Sequence, residues 1–323
     1  MKLFLINIFK FTCAFSICFI TLLFVTCFDN FDKKHSNNHN ILSLNNVADF
    51  DSLDILFVGN SYTYSSIKPS LFDLQGLKTY NLGIATAGVD FYNLVINDYI
   101  DNTNPPPKKV FILLSPMTFS KKSDNFSMYP IHRYINNPIS HLEMALNFNR
   151  EKKLITLYRK SMKKAFSNIK YLFASKVENN FQDKGFYFSD MVFDRDSIDT
   201  KPYITLFHET FDNNKIRKIE DLTSNLYKKK VEVVFYELPT NHLERFFNDD
   251  YLFSYNCFLN NLSNSFPLLK VNKLLFNEDN YRDIDHMNDS GANLATKQII
   301  HYIKTDTLGI SSSVNSGTSK PLK

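Results

Sequence analysis

Hydrophobic positions in this chain fall into short uninterrupted runs separated by longer amphipathic stretches. The runs are DILFVG, TYNLGI, KKVFILLS, KVEVVFYEL and KLLF, which begin at residues 54, 79, 108, 230 and 273. They are rich in Ile, Val, Leu and Phe and mostly do not alternate with polar residues, which is typical of strands that are covered on both faces. The pattern therefore predicts an α/β protein, a three-layer α/β/α sandwich around a five-stranded parallel sheet.

Helical periodicity fills the stretches between these runs. In NNKIRKIEDLTSNLYKKK four apolar positions share one face: Ile216, Ile219, Leu222 and Leu226. This spacing predicts a crossover helix before the fourth strand. DSGANLATKQIIHYIKT predicts a last helix with Asp289 or Ser290 as its cap. Residues 120–215 are too long for one crossover and carry helical patterns, so we expect an insertion that forms a cap or a wall.

The amino terminus has a different composition. Lys2 and Lys10 precede the uncharged apolar run Phe11–Phe28, whose eighteen residues are just long enough to cross a bilayer as a helix. We interpret residues 1–28 as a signal or membrane anchor. A cleaved signal peptide, an uncleaved anchor and a lipoprotein signal that uses Cys27 remain the alternatives, of which we favour the anchor. The charges around the run predict that the following domain lies outside the cytoplasm.

The remaining segments divide simply. Residues 29–52 are rich in Asn, Asp, Ser and His without a sustained period, and they predict a flexible tether, while 305–323 predict a flexible tail. Residues 53–304 then form one α/β domain with its insertion. Cys257 is the one cysteine of this domain, which excludes an intrachain disulfide framework there, and its helix-like surroundings predict a buried apolar side chain.

Length and charge exclude several classes of protein. With 323 residues, of which 44% are hydrophobic and 22% charged, the chain can bury a full core. The net charge of +4 is small and the lysines are spread along the sequence, without the basic cluster of a nucleic-acid-binding surface. We therefore predict no nucleic-acid partner.

The first apolar run ends abruptly at Gly59, Asn60 and Ser61. In open parallel sheets, ligands bind beyond the carboxyl ends of the strands, and a serine at such an end presents its hydroxyl to that crevice. The backbone N–H of Ser61 is also placed where an oxyanion could form. The alternative is that Ser61 is merely the cap of the following helix.

A second polar motif, NYRDIDHMNDSGANLA, stands between the last run and the last helix, at the same predicted edge of the sheet. Its Asp283 and His286 have D-x-x-H spacing. A serine hydroxyl needs a neighbouring base, which His286 supplies if Asp283 fixes the imidazole tautomer. The two motifs together predict a catalytic triad of Ser61, His286 and Asp283. Asp285 is the alternative partner of the histidine.

Three blocks carry a resemblance to a known family: GNSYT at 59–63, NLGIATAG at 81–88 and DIDHMNDSGA at 283–292. They resemble the SGNH, or GDSL-type, hydrolase superfamily, and the resemblance covers roughly residues 53–305. It implies a flavodoxin-like sheet, with the nucleophile Ser61 in the first block and the acid and base in the D-x-x-H block. With the apolar amino terminus, the chain most resembles the anchored, extracytoplasmic branch that handles acyl groups on cell-surface glycans, including relatives of the D-alanyl transfer protein.

The resemblance also implies an oxyanion hole formed by the backbone N–H groups of Ser61 and Gly88, with the backbone at Thr86 as the alternative to Gly88. The third block departs from the family. Ser115 and the following Pro-Met-Thr stand where the family has G-x-N-D, so the asparagine donor is missing. Asn60 or a side chain of the insertion is the expected replacement. Four residues are candidates for the pocket: Asn60, Tyr62, Asn241 and His242.

These observations predict a serine-dependent acyl-ester hydrolase or O-acyltransferase that acts on acylated carbohydrate or polysaccharide through an acyl-enzyme intermediate. Neither a metal nor an organic cofactor is required. Hydrolysis and transfer share their first half-reaction, so both remain open. The competing hypothesis is a non-catalytic, anchored glycan-binding or assembly protein with a degenerate fold of the same type.

Overall fold

The computed structural model describes residues 52–309 except 86, 121–182, 195–202 and 204, together with a few positions before 52. Its described part contains a five-stranded sheet in the order β2-β1-β3-β4-β5, and all the strand pairs are parallel. The strands are β1 (Ile55–Gly59), β2 (Thr79–Gly83), β3 (Lys109–Leu113), β4 (Glu232–Glu237) and β5 (Leu268–Lys270). The predicted parallel sheet is confirmed.

The position of the fifth strand differs from the prediction. The sequence predicts it at KLLF, but the strand that pairs with β4 is β5, and Lys273–Leu275 form a 3₁₀ turn. Asn272 caps this turn by accepting the backbone N–H of Leu274, whose side chain is 91% exposed. The KLLF assignment is therefore wrong. Its leucines are exposed, so an apolar sequence alone did not identify the edge strand.

Helices cover both faces of the sheet. They are α1 (Ser61–Ser66), α2 (Pro69–Asp73), α3 (Val89–Asn102), α4 (Asn213–Lys228), α5 (Asp249–Ser263) and α6 (Asp289–Gly309). One hydrophobic core joins α3, α4 and α5 to one face, and a second joins residues of α1, α2 and α6 to the other. This arrangement is the predicted three-layer sandwich.

Helix α4 has the predicted amphipathic face. The side chains of Ile219, Leu222 and Leu226 are fully buried, and Ile216 packs against the same core. Removing three such side chains from water stabilises the fold by several kcal/mol, at about 1.5–3 kcal/mol for each fully buried residue of this size. The hydrophobic period of the sequence thus identified the face correctly.

Two local assignments are wrong. The side chain of Asn288 accepts the backbone N–H of Gly291 at 3.1 Å, so the cap of α6 is Asn288 and not Asp289 or Ser290. Cys257 lies on the exposed face of α5, and it is not the buried apolar residue that the sequence predicts. The helix periodicity around it leaves Tyr255, Phe258 and Leu259 to face the core instead.

Most of the predicted insertion and the terminal segments lie outside the described residues. An antiparallel bridge between Ser120 and Phe211 joins the two ends of the insertion at its base. Residues 183–194 are its longest described segment. The apolar run Phe11–Phe28, the tether and the end of the tail fall almost wholly outside the described part of the chain. Among the residues that are described, the helices are either too short or too polar to cross a membrane.

Two glycines allow α1 to approach the carboxyl ends of β1 and β2 closely. A Cβ atom at Gly59 would lie 1.8 Å from Oγ1 of Thr63, and one at Gly83 would lie 2.3 Å from the backbone N of Tyr64. Both distances are far below van der Waals contact, so a side chain at either position would push α1 away. The glycine that ends the first apolar run is therefore required by packing.

The buried side chain of Asn81 fixes α1 from below. Its Nδ2 donates to the backbone oxygens of Thr63 at 2.8 Å and Ile67 at 2.7 Å, and its Oδ1 accepts the N–H of Gly83 at 3.0 Å. One amide thereby satisfies three buried backbone groups that link β2 to the helix that starts with Ser61.

We predict that Asn81→Ala destabilises the protein by about 2–5 kcal/mol, because it removes the described partners of the Ile67 C=O and the Gly83 N–H and one of two hydrogen bonds to the Thr63 C=O. Thermal unfolding followed by circular dichroism measures the effect. The matched control is Asn97→Ala on α3, since the described hydrogen bond of the Asn97 amide goes to the side chain of Asn93, one turn away on the same helix. Equal melting temperatures for the two variants would contradict this role of Asn81.

Candidate active site

Ser61 is the first residue of α1, directly after β1. The cap of this helix is Asn60, whose Oδ1 accepts the backbone N–H of Tyr62 at 3.0 Å. Its Nδ2 donates to Oγ of Ser115 at 3.4 Å, which ties the end of β1 to the end of β3. Because Asn60 performs the capping, the hydroxyl of Ser61 is left for another role. The side chain of Ser61 is half-buried.

The D-x-x-H loop holds His286 by its Nδ1 atom. The two carboxylate oxygens of Asp283 lie 2.9 and 3.0 Å from Nδ1. Oδ1 of Asp283 also accepts the backbone N–H of His286 at 2.7 Å and that of Asp285 at 3.1 Å. These bonds fold the loop around the carboxylate, so the position of the imidazole follows from local sequence.

A second carboxylate contacts the same ring nitrogen. Oδ1 of Asp285 lies 2.8 Å from Nδ1 of His286, and the hydroxyl of Tyr203 donates to this oxygen at 2.8 Å. The side chain of Asp285 is only 11% exposed, whereas that of Asp283 is 41% exposed. Both aspartates of the D-I-D-H motif therefore face the histidine.

These charges determine the protonation of His286. Burial alone would lower the pKa of this imidazole, but the negative charge of Asp285 and the hydrogen bonds to Asp283 and Asp285 raise it from 6.5 to about 9. For Asp283, burial would raise the pKa, yet the hydrogen bond and positive charge of His286 bring it well below its usual range. At neutral pH the loop thus holds an imidazolium beside a carboxylate.

Two aromatic residues of α1 enclose the imidazole. The ring of Tyr62 meets it edge-on with centroids 5.7 Å apart, and the ring of Tyr64 lies parallel to it at 6.2 Å. The hydroxyl of Tyr62 is buried without a hydrogen-bond partner among the described residues. Burial and the charge of Asp285 raise the pKa of this hydroxyl well above its ordinary value, so it remains protonated.

Nε2 of His286 is also buried, and it has no hydrogen-bond partner within the described part of the chain. In particular, it makes no hydrogen bond with Ser61. The structure therefore joins Asp283 to His286 directly and places Ser61 at the start of the helix that packs on the imidazole. A buried ring nitrogen without a partner costs free energy, so its presence in a native protein needs an explanation.

The other predicted residues lie around the same edge of the sheet. Gly88 is buried at the start of α3, and Thr86 lies outside the described residues. Asn241, in the loop after β4, is 6% exposed and its Nδ2 has no hydrogen-bond partner in the described regions. His242 has a left-handed backbone, with φ of 73°, and its Nε2 pairs with Glu278 at 3.3 Å. The described contacts thus direct His242 to Glu278 and not to His286.

The altered third block forms a closed polar turn. The backbone N–H of Ser115 donates to Oγ1 of Thr118 at 3.2 Å, and the two hydroxyl oxygens lie 3.0 Å apart. The hydroxyl of Ser115 also accepts the bond from Asn60. Ser115 is therefore occupied with stabilising the ends of β1 and β3, and it does not replace the family's asparagine as a free donor.

The segment 183–194 forms a wall beside the site. The sequence predicted a cap or a wall within residues 120–215 but did not identify which residues form it. Its Tyr187 donates a backbone N–H to the carbonyl of Tyr64 at 2.8 Å, and the guanidinium of Arg282 lies 5.1 Å from the Tyr187 ring centroid. Four large apolar side chains of this wall are exposed: Tyr187, Phe188, Met191 and Val192. A partly apolar rim thus borders the loop that holds His286.

Sequence reasoning missed the contribution of Tyr203 and Arg282. Tyr203 lies in the insertion, 82 residues before the aspartate that it binds, and no local motif marks it. Arg282 directly precedes Asp283, and its Nε lies 3.3 Å from the Asp283 carboxylate. Its place next to the D-x-x-H motif was the one signal that could have identified it.

The cluster formed by Asp283, Asp285 and His286 also has the composition of a metal site, with potential ligand atoms within 4.8 Å of one another. However, both carboxylates converge on Nδ1, and Asp283 shares its proton. A cation held by Nδ1 and the two carboxylates would have to displace that proton. The arrangement therefore favours proton handling over metal binding.

Comparisons with known proteins give only distant likenesses. No protein-family model and no curated protein matches the chain. Solved structures that it resembles include a GDSL-like lipase from Bacteroides thetaiotaomicron, with 12% identity and a TM-score of 0.40 over 78% of this chain and 88% of that one. Another is a family 3 carbohydrate esterase from Clostridium thermocellum, with 13% identity and a TM-score of 0.35 over 80% and 97%. Likenesses this weak do not identify a reaction.

Proposed function

We propose that this protein is an SGNH-type, serine-dependent acyl-ester hydrolase or O-acyltransferase. Ser61 is the nucleophile, His286 the general base and Asp283 the carboxylate that orients the base. The observation that carries this proposal is the state of His286. Its Nδ1 is held by carboxylates while its Nε2 is buried without a described partner, beside the helix that begins with Ser61. In a triad, one ring nitrogen binds the carboxylate and the other accepts the proton of the nucleophile.

In the proposed first half-reaction, neutral His286 takes the proton of the Ser61 hydroxyl at Nε2. Oγ of Ser61 forms a bond to the ester carbonyl carbon, and the carbonyl π electrons move to its oxygen. When this tetrahedral intermediate collapses, the bond to the alkoxy oxygen breaks and the imidazolium protonates the departing alcohol. In the second half-reaction, water or an acceptor hydroxyl attacks the acyl-enzyme in the same way, which gives hydrolysis or transfer.

The hydrogen bond between Ser61 and His286 must form when substrate binds. Catalytic hydrogen bonds are often long or poorly aligned before that point and tighten in the reactive complex. A change of the χ1 rotamer of Ser61 moves its Oγ without any movement of the backbone. In this proposal, the start of α1 and the imidazole stay in place, and rotation of the Ser61 hydroxyl completes the hydrogen bond to Nε2.

The proposed oxyanion hole uses the backbone N–H groups of Ser61 and Gly88. Two amide side chains at this edge can replace the third donor that the family's asparagine supplies. Asn60 has a second N–H beyond the one that bonds Ser115, and Nδ2 of Asn241 is buried without a described partner. One such donor contributes about 3–4 kcal/mol of transition-state stabilisation in a well-studied serine protease.

The proposed substrate is an acylated carbohydrate near a membrane surface. The exposed rings of Tyr187 and Phe188 at the rim offer flat apolar faces of the kind that sugar rings pack against. The apolar run Phe11–Phe28 and the tether that follows it would keep the domain outside the cytoplasm and within a few nanometres of the bilayer. This placement suits a modifier of anchored or nascent glycans.

A non-catalytic, glycan-binding or assembly function is the second candidate. It is favoured by the occupied Ser115 turn in the third block and by the unformed hydrogen bond between Ser61 and His286. Against it stands the cost of burying Nε2 of His286 without a hydrogen-bond partner among the described residues. A protein without turnover gains nothing from that cost.

We predict that Ser61→Ala lowers the release of acetate from acetylated xylan and the hydrolysis of 4-nitrophenyl acetate by about 10³-fold or more. Transfer of the acetyl group to an added acceptor sugar, measured in parallel, distinguishes an acyltransferase from an esterase. The matched control is Ser263→Ala at the exposed end of α5, which should retain the wild-type rate.

Labelling with a fluorophosphonate adds a readout that does not depend on the right acyl donor. The wild type should be modified at Ser61, and the Ser61→Ala variant should not. If the wild type neither turns over these esters nor reacts with the probe, the catalytic proposal fails and the binding function becomes the better account.

We also predict that the full-length chain sediments with membranes and is released by detergent but not by high salt. Deletion of residues 1–28 should move the domain to the soluble fraction. In intact cells, added protease should degrade the anchored domain. Recovery of the full-length protein in the soluble cytoplasm, protected until lysis, would overturn the proposed localisation.

A further inference from the structure

His286 has one carboxylate more than a catalytic triad requires. In a triad a single acid orients the ring through Nδ1. Here Asp283 and Asp285 both lie within 3 Å of that atom. The two carboxylates differ in their other contacts, so their effects on His286 differ as well.

Asp283 distributes its charge over several partners. Besides Nδ1, its oxygens accept two backbone N–H groups of the loop, and Oδ2 lies 3.3 Å from Nε of Arg282. Much of its negative charge is thereby balanced by groups other than the imidazole. Its main effect is geometric, since it shapes the loop and sets the direction of the ring.

Asp285 is more buried, and its described contacts are fewer. Its Oδ1 accepts a hydrogen bond from the neutral hydroxyl of Tyr203 and lies 2.8 Å from Nδ1 of His286. The ring of Tyr203 packs on Phe246 with centroids 5.3 Å apart, which restricts the hydroxyl. The negative charge of this carboxylate is therefore fixed in place with little screening, and the imidazolium is the cation beside it.

The groups that face the imidazole come from three parts of the chain. They are Tyr62 and Tyr64 from α1, Arg282, Asp283 and Asp285 from the loop of His286, and Tyr203 from the insertion. Among these described groups, the three tyrosines are neutral near pH 7. The charge balance at His286 is then set by two carboxylates against one guanidinium, which lies beside Asp283.

We propose that Asp285, held by Tyr203, is a second positioning residue for His286 and sets the pH at which this histidine becomes a base. The catalytic consequence rests on the function proposed above, but the effect on the imidazole does not require turnover. Because Tyr203 belongs to the insertion, this contact also gives the insertion a direct influence on the base.

The sign of the effect follows from the charges. The carboxylate of Asp285 stabilises the imidazolium, so it raises the pKa of His286 and delays formation of the neutral base as the pH increases. Wild-type kcat/KM should therefore rise with pH with a midpoint near 9, where half of His286 is deprotonated, and level off above it. Replacing Asp285 with a neutral residue should lower this midpoint by about one pH unit or more.

The test compares Asp285→Asn and Tyr203→Phe with the wild type by two measurements. The first is the pH profile of kcat/KM, and the second is NMR titration of the His286 ring in ¹⁵N-histidine-labelled protein. Asp285→Asn should shift the midpoint to lower pH, and Tyr203→Phe, which keeps the carboxylate but removes the hydroxyl that positions it, should shift the midpoint by a smaller amount. Asp250→Asn and Tyr227→Phe, which change the same side-chain types on the outer surfaces of α5 and α4, should leave it unchanged.

The NMR titration is repeated in a Ser61→Ala background, where turnover plays no part. A midpoint that shifts there supports the role of Asp285 even if no esterase activity is found, so the two proposals fail separately. An unshifted midpoint in both Asp285→Asn and Tyr203→Phe overturns the inference. A lower maximum of kcat/KM with an unchanged midpoint overturns it as well. If Asp285→Asn does not fold, the conservative Tyr203→Phe variant decides the outcome alone.

Discussion

The contact on which the site depends is the hydrogen bond between Nδ1 of His286 and the carboxylate of Asp283. This carboxylate also accepts two backbone N–H groups of its own loop, so one side chain both shapes the loop and orients the ring. With Nδ1 committed, Nε2 is the ring nitrogen left for chemistry. Among the described residues, Nε2 is buried without a hydrogen-bond partner, which has a structural cost.

The sheet supplies the other half of the site. Gly59 and Gly83 leave room for α1 at the ends of β1 and β2, and Asn81 binds its backbone from below. As a result, the residue that follows the N-cap of this short helix is Ser61, and the rings of Tyr62 and Tyr64, which come after it, lie beside His286. Residues more than two hundred positions apart thus share one edge, because parallel strands end there together.

The features that could be predicted from the sequence are those set by residues close together in the chain. Strands β1 to β4 were recognised because burial on both faces leaves an unbroken apolar run, whereas β5 is short and partly exposed and leaves no such run. The pairing of Asp283 with His286 followed from their spacing in one loop. The contact of Tyr203 with Asp285 could not be predicted, because it joins the insertion to the loop through tertiary structure alone.

The central claim is that Ser61 forms a covalent acyl-enzyme with the help of His286. The most direct test mixes the protein with 4-nitrophenyl acetate, quenches the reaction in acid within its first turnovers and maps acetylated peptides by mass spectrometry. The account predicts an acetyl group on Ser61 in the wild type and little or none on Ser61 in a His286→Ala variant. Acetylation confined to lysines, or equal labelling of Ser61 in both proteins, would contradict it.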